Sequence, residues 1–223
     1  MKNWTQAFKG WLDFLFESPC PLCQRSTPHP FCQDCQRQIQ RCQLPALEQF
    51  QIDLLPLFAW GAYGGALKRS IAALKYNNQP HLARPLGHWM AQSWLRSGQN
   101  LDSAIVVPIP IHSTKRQQRG FNQADLLAQS FCQLSGLTLE PQGLERIRAT
   151  EAQFGLSSAD REQNVAGAFV LGKAFCRKPP TQPVIVLDDI YTTGATAMAA
   201  MQTLQRHSIV VQHLVVLART QRQ

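Results

Sequence analysis

Val184-Ile185-Val186-Leu187-Asp188-Asp189-Ile190-Tyr191-Thr192-Thr193-Gly194-Ala195-Thr196 reads as one structural unit. Val184 to Leu187 form an apolar run of the kind buried on both faces of a parallel sheet. Asp188 and Asp189 stand at its end, and a turn of threonines around Gly194 leads into a helix-like segment from Ala195 to Gln205. Helix starts of this kind bind anions, because their unpaired N–H groups and the helix dipole point at the ligand. Open α/β sheets place ligands just beyond the carboxyl ends of their strands. The unit therefore asks for a phosphate, for the turn, and for vicinal hydroxyls, for the two aspartates. Ribose 5-phosphate meets both demands. Thr192, Thr193, Gly194, Ala195 and Thr196 are expected to cradle the phosphate, with Gly194 free to take a positive φ. The plainer alternative is that one aspartate merely caps the helix or makes an Asx turn.

Outward from this unit, strands and helices are expected to alternate. Phe58–Tyr63 and Ala104–Pro110 read as strands, as do Leu137–Leu139, Ala166–Leu171 (returning to the sheet) and Ile209–Leu217. Leu67, Ile71 and Leu74 have helical spacing, as do Leu82, Leu86, Trp89, Met90 and Trp94, and a further helix is expected from Asn122 to Leu134. Lys68 and Lys75 on the first of these helices either add positive charge to the site or belong to a plain exposed face. Ile111 to Gln123 reads as a basic loop, and Glu145 to Asn164 as a polar loop holding a short helix. Phe175 to Pro183 reads as a turn-rich connection. The alternation argues for a parallel α/β sheet with right-handed crossovers.

The 223 residues suffice for one medium domain with a small appendage, and the 44% apolar content suits a globular core. A formal charge of +8 favours anionic partners. No window carries the roughly 18 uninterrupted apolar residues of a membrane span, so no membrane association is expected. Trp4, Phe8, Trp11, Leu12 and Leu15 recur at helical spacing, and Lys2, Lys9, Asp13 and Glu17 interrupt the run. That pattern reads as an amphipathic helix that packs on the body of the protein rather than an export signal, with membrane-surface contact the lesser alternative.

Five of the seven cysteines lie close together. Cys20-Pro21-Leu22-Cys23 and Cys32-Gln33-Asp34-Cys35 are two Cys-x-x-Cys knuckles, which together supply the four sulfurs of a tetrahedral zinc site. A disulfide framework or a redox knuckle is the competing reading. Four thiolates would close the coordination shell, so the metal is expected to hold the fold and take no part in catalysis. His29 is a possible substitute ligand, and Cys42 is the spare. Cys132 and Cys176 are expected to be buried packing residues.

The segment around Asp188 and Asp189 resembles the 5-phosphoribosyl 1-pyrophosphate (PRPP) binding motif of type I phosphoribosyltransferases. Three further blocks narrow the resemblance. The first is Tyr63, Lys68 and Lys75-Tyr76. The second is Val107-Pro108-Ile109-Pro110 with Arg116 and Arg119-Gly120-Phe121-Asn122-Gln123-Ala124. The third is Arg148, Thr150, Gln153, Leu156, Arg161, Asn164 and Phe169. In this order, and behind the cysteine knuckles, the blocks resemble the ComF family, which includes the GntX-type proteins, over nearly the whole chain.

The resemblance implies a type I phosphoribosyltransferase fold, a parallel sheet flanked by helices, spanning residues 58–223. Residues 1–57 would hold an N-terminal amphipathic helix and a small four-cysteine zinc-binding segment with Cys20, Cys23, Cys32 and Cys35 as ligands. It implies that Asp188 and Asp189 are the catalytic acids, holding the ribose hydroxyls of PRPP with Mg²⁺ as cofactor. Lys115, Arg116 and Arg119 would grip pyrophosphate, arginine offering a planar fork of donors to phosphate oxygens. Arg148 and Arg161 would belong to a flexible hood that closes over PRPP and excludes water. The hood is most similar to that of the amidophosphoribosyltransferase branch, but the chain lacks that branch's N-terminal cysteine glutaminase, which leaves the acceptor open. The family is associated with natural competence and with the use of external DNA, acting in the cytoplasm on single-stranded DNA. The implied activity is phosphoribosyl transfer. The alternative is a non-enzymatic, PRPP-regulated module for single-stranded DNA, or a scaffold for a DNA-processing partner protein.

Overall fold

The computed structural model describes residues 18–45, 50–52, 55–98, 101, 103–149 and 167–220. The expected amphipathic helix between Trp4 and Leu15 lies outside them, as do Thr150, Gln153, Leu156, Arg161 and Asn164 of the hood block.

A hairpin of β1 (Ser18–Pro19) and β2 (Ser26–Thr27) leads to helix α1 (Gln33–Gln40). Next come β3 (Phe50–Ile52), β4 (Leu55–Ala62), α2 (Gly65–Tyr76), a 3₁₀ turn at Pro80–Leu82 and α3 (Ala83–Arg96). They are followed by β5 (Ile105–Pro108), α4 (Ser113–Arg119), α5 (Gln123–Ser135), β6 (Thr138–Leu139) and β7 (Leu144–Arg146). Beyond the hood block are β8 (Phe169–Leu171), α6 (Lys173–Arg177), β9 (Val184–Tyr191), α7 (Ala195–Gln205) and β10 (Val211–Arg219).

The main sheet has the order β3-β4-β10-β9-β5-β6. Every neighbouring pair is parallel except β3 with β4. The fold is thus α/β, a five-stranded parallel sheet with an antiparallel edge strand and helices on both faces. β9 lies between β10 and β5, which explains its unbroken apolar run: both faces of Val184 to Leu187 are covered. On one face, Leu67, Ile71 and Leu74 of α2, Met90 and Trp94 of α3 and Phe131 of α5 pack with Ile185, Leu187 and Val215. On the other, Ala197, Ala200, Met201 and Leu204 of α7 pack with Val184, Val186, Leu214 and Val216. Trp94 joins three rings edge-on, Phe58 at 5.4 Å, Phe131 at 6.1 Å and His213 at 5.2 Å between centroids. His213 is therefore a packed core histidine, as the strand-like run around it suggests.

Four sequence expectations need correction. Ile111 to Gln123 is not a plain loop, because Ser113–Arg119 forms α4. That helix buries none of its residues, so it left no apolar period to read; His112 caps its start and Gly120, at φ 84°, ends it. The strand after Ala166 does not return to the main sheet. β8 pairs antiparallel with β7 as a separate two-stranded ribbon, since β6 already occupies the sheet edge beside β5. The connection from Phe175 starts inside a short helix, Lys173–Arg177. Cys132 is buried as expected, but Cys176 is exposed, on the solvent side of that helix.

Candidate functional site

Successive residues of a strand face opposite sides of the sheet. Asp189 therefore shares the face of Ile185 and Leu187, toward α2, while Asp188 shares that of Val184 and Val186. Lys75, in the last turn of α2, forms an ion pair between its Nζ and Asp189 Oδ2, with only 16% of the lysine side chain and 5% of the aspartate's exposed. Burial works against the charge on Lys75, but Asp189 and then Asp188 outweigh it and hold the ammonium above its ordinary value. Asp188 accepts the N–H of Asp189 on Oδ1 at 2.8 Å. Burial first, and then the charge of Asp189, push Asp188 well above the usual carboxylate range, with Lys75 offsetting part of the effect.

The chain then turns at Gly194, which has φ 90°. A Cβ there would collide with the Tyr191 hydroxyl, so the turn requires glycine on both counts. Gly194 is the N-cap of α7 and no side chain caps that helix. A helix start without a side-chain cap favours an anion there. Among the described residues the Thr193 hydroxyl is buried without a hydrogen-bond partner. A buried hydroxyl in that state costs free energy unless something bonds to it, and a phosphate oxygen would do so.

Cations gather at the same corner. Arg146 of β7 lies with its guanidinium carbon 5.3 Å from the Phe169 ring centre. Burial lowers its pKa and the charge of Asp188 opposes that, which places Arg146 on the Asp188 side. Lys115 is depressed by burial, then by Arg146, Arg119 and Lys75, so these four cations feel one another. Arg119 donates to Gln123 Oε1 and lies 5.6 Å over the Tyr76 ring. The structure therefore brings Asp188, Asp189, Thr192 to Thr196, Lys115 and Arg119 to one corner. It does not bring in Arg116, which points to Asp125 at 4.0 Å with 66% of its side chain exposed. Arg148 is exposed and Arg161 lies outside the described residues.

Two site residues are hidden or half-hidden in the sequence. Arg146 sits in a stretch that reads as polar loop, and its one signal is the weak alternation of Leu144, Glu145 and Arg146. Lys75 has a plain exposed helix face as its rival reading, and its burial against Asp189 rules out that rival.

The four knuckle cysteines also converge. Cys20, Cys23, Cys32 and Cys35 have their sulfurs within 4.8 Å of one another, with Cys23 and Cys32 at 3.5 Å. A tetrahedral zinc with Zn–S bonds of about 2.3 Å needs sulfurs roughly 3.8 Å apart, so the four could hold a structural zinc. The first knuckle is built by the β1–β2 hairpin, where the Gln24 N–H bonds to Cys20 O at 2.8 Å. In the second, Cys32 is the N-cap of α1 and Cys35 lies in its first turn. Burial raises Cys35, the other three thiols adding to it. At Cys20 burial acts the same way, but N–H groups of Cys32, Leu22 and Cys23 outweigh it and bring the thiol down to about 7. Neither His29 nor Cys42 joins the group among the described residues; the Cys42 sulfur faces Gln38 O at 3.5 Å instead.

No protein-family model matches the chain. Known proteins do match it along most of its length. It is 28% identical to the DNA utilization protein YhgH of Salmonella typhimurium over 208 residues, 91% of this chain and 85% of that protein. It is 27% identical to competence protein F of Haemophilus influenzae over 206 residues, 89% of each. These similarities support the resemblance to the ComF family read from the sequence. The chain is also 24% identical to competence protein ComFC of Bacillus subtilis over 83% of this chain and 70% of that protein. Among the described residues, no helix is long and apolar enough to cross a membrane.

Proposed function

We propose that this ComF-like chain binds PRPP and transfers its phosphoribosyl group to a nitrogen nucleophile. The observation that carries the reading is the acid pair in the C-terminal half of β9, ahead of the Gly194 turn and the uncapped start of α7. On this reading Asp188 and Asp189 take the ribose hydroxyls, and the turn from Thr192 to Thr196 takes the 5′-phosphate. Lys115 and Arg119 face the pyrophosphate, joined by Lys75 and Arg146. Arg116, Arg148 and Arg161 are the further candidates from the loop and hood.

Mg²⁺ fits the donor set, since it binds through one or two carboxylates and ligand phosphates while keeping several waters. When bound it would neutralise charge on the leaving pyrophosphate. The chain's own residues do the rest. The acids orient the ribose, the cations stabilise negative charge as the C1–oxygen bond breaks, and the turn holds the phosphate end still. Pyrophosphate leaves with the bonding pair, the nucleophile's nitrogen bonds to C1, and its proton goes to solvent. No covalent protein nucleophile is needed, because the work is positioning and charge stabilisation. The cysteine group is proposed as a closed, structural zinc site.

Two of the relatives are named for competence and DNA utilization, and the chain carries a net charge of +8. These support a cytoplasmic role in DNA uptake or in the use of external DNA. They also favour a second reading, in which PRPP regulates a single-stranded DNA module or a scaffold for a DNA-processing protein without turnover. Calorimetry with PRPP and Mg²⁺, pyrophosphate release with ammonia and amines, and DNA binding across a salt series separate the two. Asp189→Asn is expected to abolish PRPP binding. PRPP binding without pyrophosphate release for any acceptor favours the regulatory reading, and no heat with PRPP overturns both.

A further inference from the structure

Beside the sugar-phosphate corner lies a second cleft of about 300 Å³, at the small end of ligand pockets but large enough for a planar base. Three separate parts of the chain wall it: the turn and helices after β5, the β7 strand, and the start of α6. Its charged groups are Arg116, Asp125, Glu145, Arg146 and Lys173, and its amides are Asn122 and Gln142. Of these the acid pair site shares only Arg146, whose charge is felt at Asp188.

Asp125 is the group this cleft is built around. Its carboxylate is 13% exposed. Asn122 fixes it, donating from Nδ2 to Asp125 Oδ1 at 2.9 Å and to Ile109 O at 3.0 Å. The Asn122 amide oxygen is also engaged, accepting the Ala124 N–H at 3.2 Å. Asn122 is therefore occupied on both sides, and it holds Asp125 in place. Asp125 Oδ2 has Arg116 at 4.0 Å, an ion pair longer than a hydrogen bond, and Asp125 lines the cleft.

An ionised carboxylate accepts hydrogen bonds and donates none. Its best planar partner is an edge with two adjacent N–H donors. Among nucleobases guanine offers that edge, through its ring N1–H and exocyclic amino group. Adenine and cytosine place a ring acceptor beside the amino group and would turn a lone pair toward the carboxylate. A cationic guanidinium has the right donors, but Arg116, Arg146 and Lys173 outnumber Asp125 and Glu145, and that balance favours a neutral edge carried on an anion. We infer that this cleft binds a guanine base, free as a nucleotide or within a single DNA strand, and that Asp125 reads its two-donor edge. The inference does not depend on PRPP binding.

The carboxyl titrates at about 6, raised by burial and held back by Arg116 and by the Asn122 bond. It is thus ionised at pH 7.5 and takes up a proton below 6. The other charged groups facing it are Arg116 from α4, Glu145 and Arg146 from β7 and Lys173 from α6.

The test is equilibrium binding of GMP, IMP and AMP to the full zinc-loaded chain at pH 7.5. GMP should bind about tenfold or more tightly than AMP, as expected for a two-bond edge contact, with IMP, which lacks the amino group, between them. Asp125→Asn should erase the preference, while Asp188→Asn should keep it. In the unaltered protein the preference should fall as pH drops through about 6, a readout that needs no variant to fold. An oligo(dT) carrying one dG, compared with plain oligo(dT), tells a strand from a free nucleotide. Equal affinity for GMP and AMP, or a GMP preference that survives Asp125→Asn, overturns the inference.

Discussion

Lys75 and Asp188 illustrate how one acid pair can face two different surroundings. Asp189 is neutralised by a lysine across the interface with α2, whereas Asp188 sits on the other face with its charge poorly compensated. Breaking a buried pair from one side leaves a charge stranded. Lys75→Met is therefore expected to cost about 3 kcal/mol. A cycle with Asp189→Asn should recover much of that loss, and urea melts of the four proteins measure it. Additive losses would mean that the pair contributes nothing. The lysine's raised pKa gives stability that is fully present below its unfolded value and lost only as pH rises through the folded one. The pair is thus intact at neutral pH. Asp188 behaves differently. Its raised pKa adds stability only at low pH, and that stability disappears as pH climbs through the folded value. Asp188→Asn should accordingly raise the melting temperature at pH 7.5 by about 2–4 °C while losing the ligand, and the gain should vanish near pH 4. A variant less stable than the parent at pH 7.5 would contradict this. The sequence places both acids after the apolar run of the strand, although β9 runs on through Ile190 and Tyr191. It cannot show that adjacent carboxylates belong to opposite faces, nor that a lysine more than a hundred positions away meets one of them.

Helices and strands with a buried stripe are readable in the sequence, and those without one are not. α2, α3 and α5 show themselves through their apolar spacing and β9 through its continuous apolar run. α4 has no buried residue, and β7 has three residues, too few for a period to show. These unread elements carry Lys115, Arg116, Arg119 and Arg146, basic side chains that leave no apolar period to read. Packing makes a further demand that composition hides. At Gly87 of α3 an added Cβ would come within 2.6 Å of the Ser130 Cβ and 2.7 Å of the Leu127 carbonyl oxygen, both on α5. The obstacle includes backbone, so it cannot rotate away. Gly87→Ala is expected to cost about 2 kcal/mol by overpacking, although alanine is the better helix former. A melting temperature unchanged or raised in this variant would show that α3 and α5 can separate freely.

The cysteine segment and the sheet do not have separate cores. Cys20, Phe31, Cys35 and Ile39 pack in the same apolar cluster as Trp60, Leu67 and Trp94. Trp89 stacks between Phe31 at 6.1 Å and Trp60 at 5.9 Å. Backbone bonds tie the two together as well: Cys42 O accepts the Ala62 N–H at 2.8 Å, and Trp60 O accepts the Leu44 N–H at 2.9 Å. Gly61 lies beneath this junction, where a Cβ would meet Cys42 O at 2.9 Å. Directly after it α2 begins, the helix whose far end delivers Lys75 to Asp189. If the four sulfurs hold zinc, its loss should therefore be felt across the whole molecule. Chelation, or Cys35→Ser, is expected to lower a single cooperative transition by about 3 kcal/mol or more, roughly 6–12 °C for a chain of this size. Tryptophan emission should change in the same step, because Trp60 and Trp89 lie at the junction. A small early transition, followed by melting of the sheet at an unaltered temperature, would mean that the knuckles are an independent appendage and that the shared cluster does not couple them.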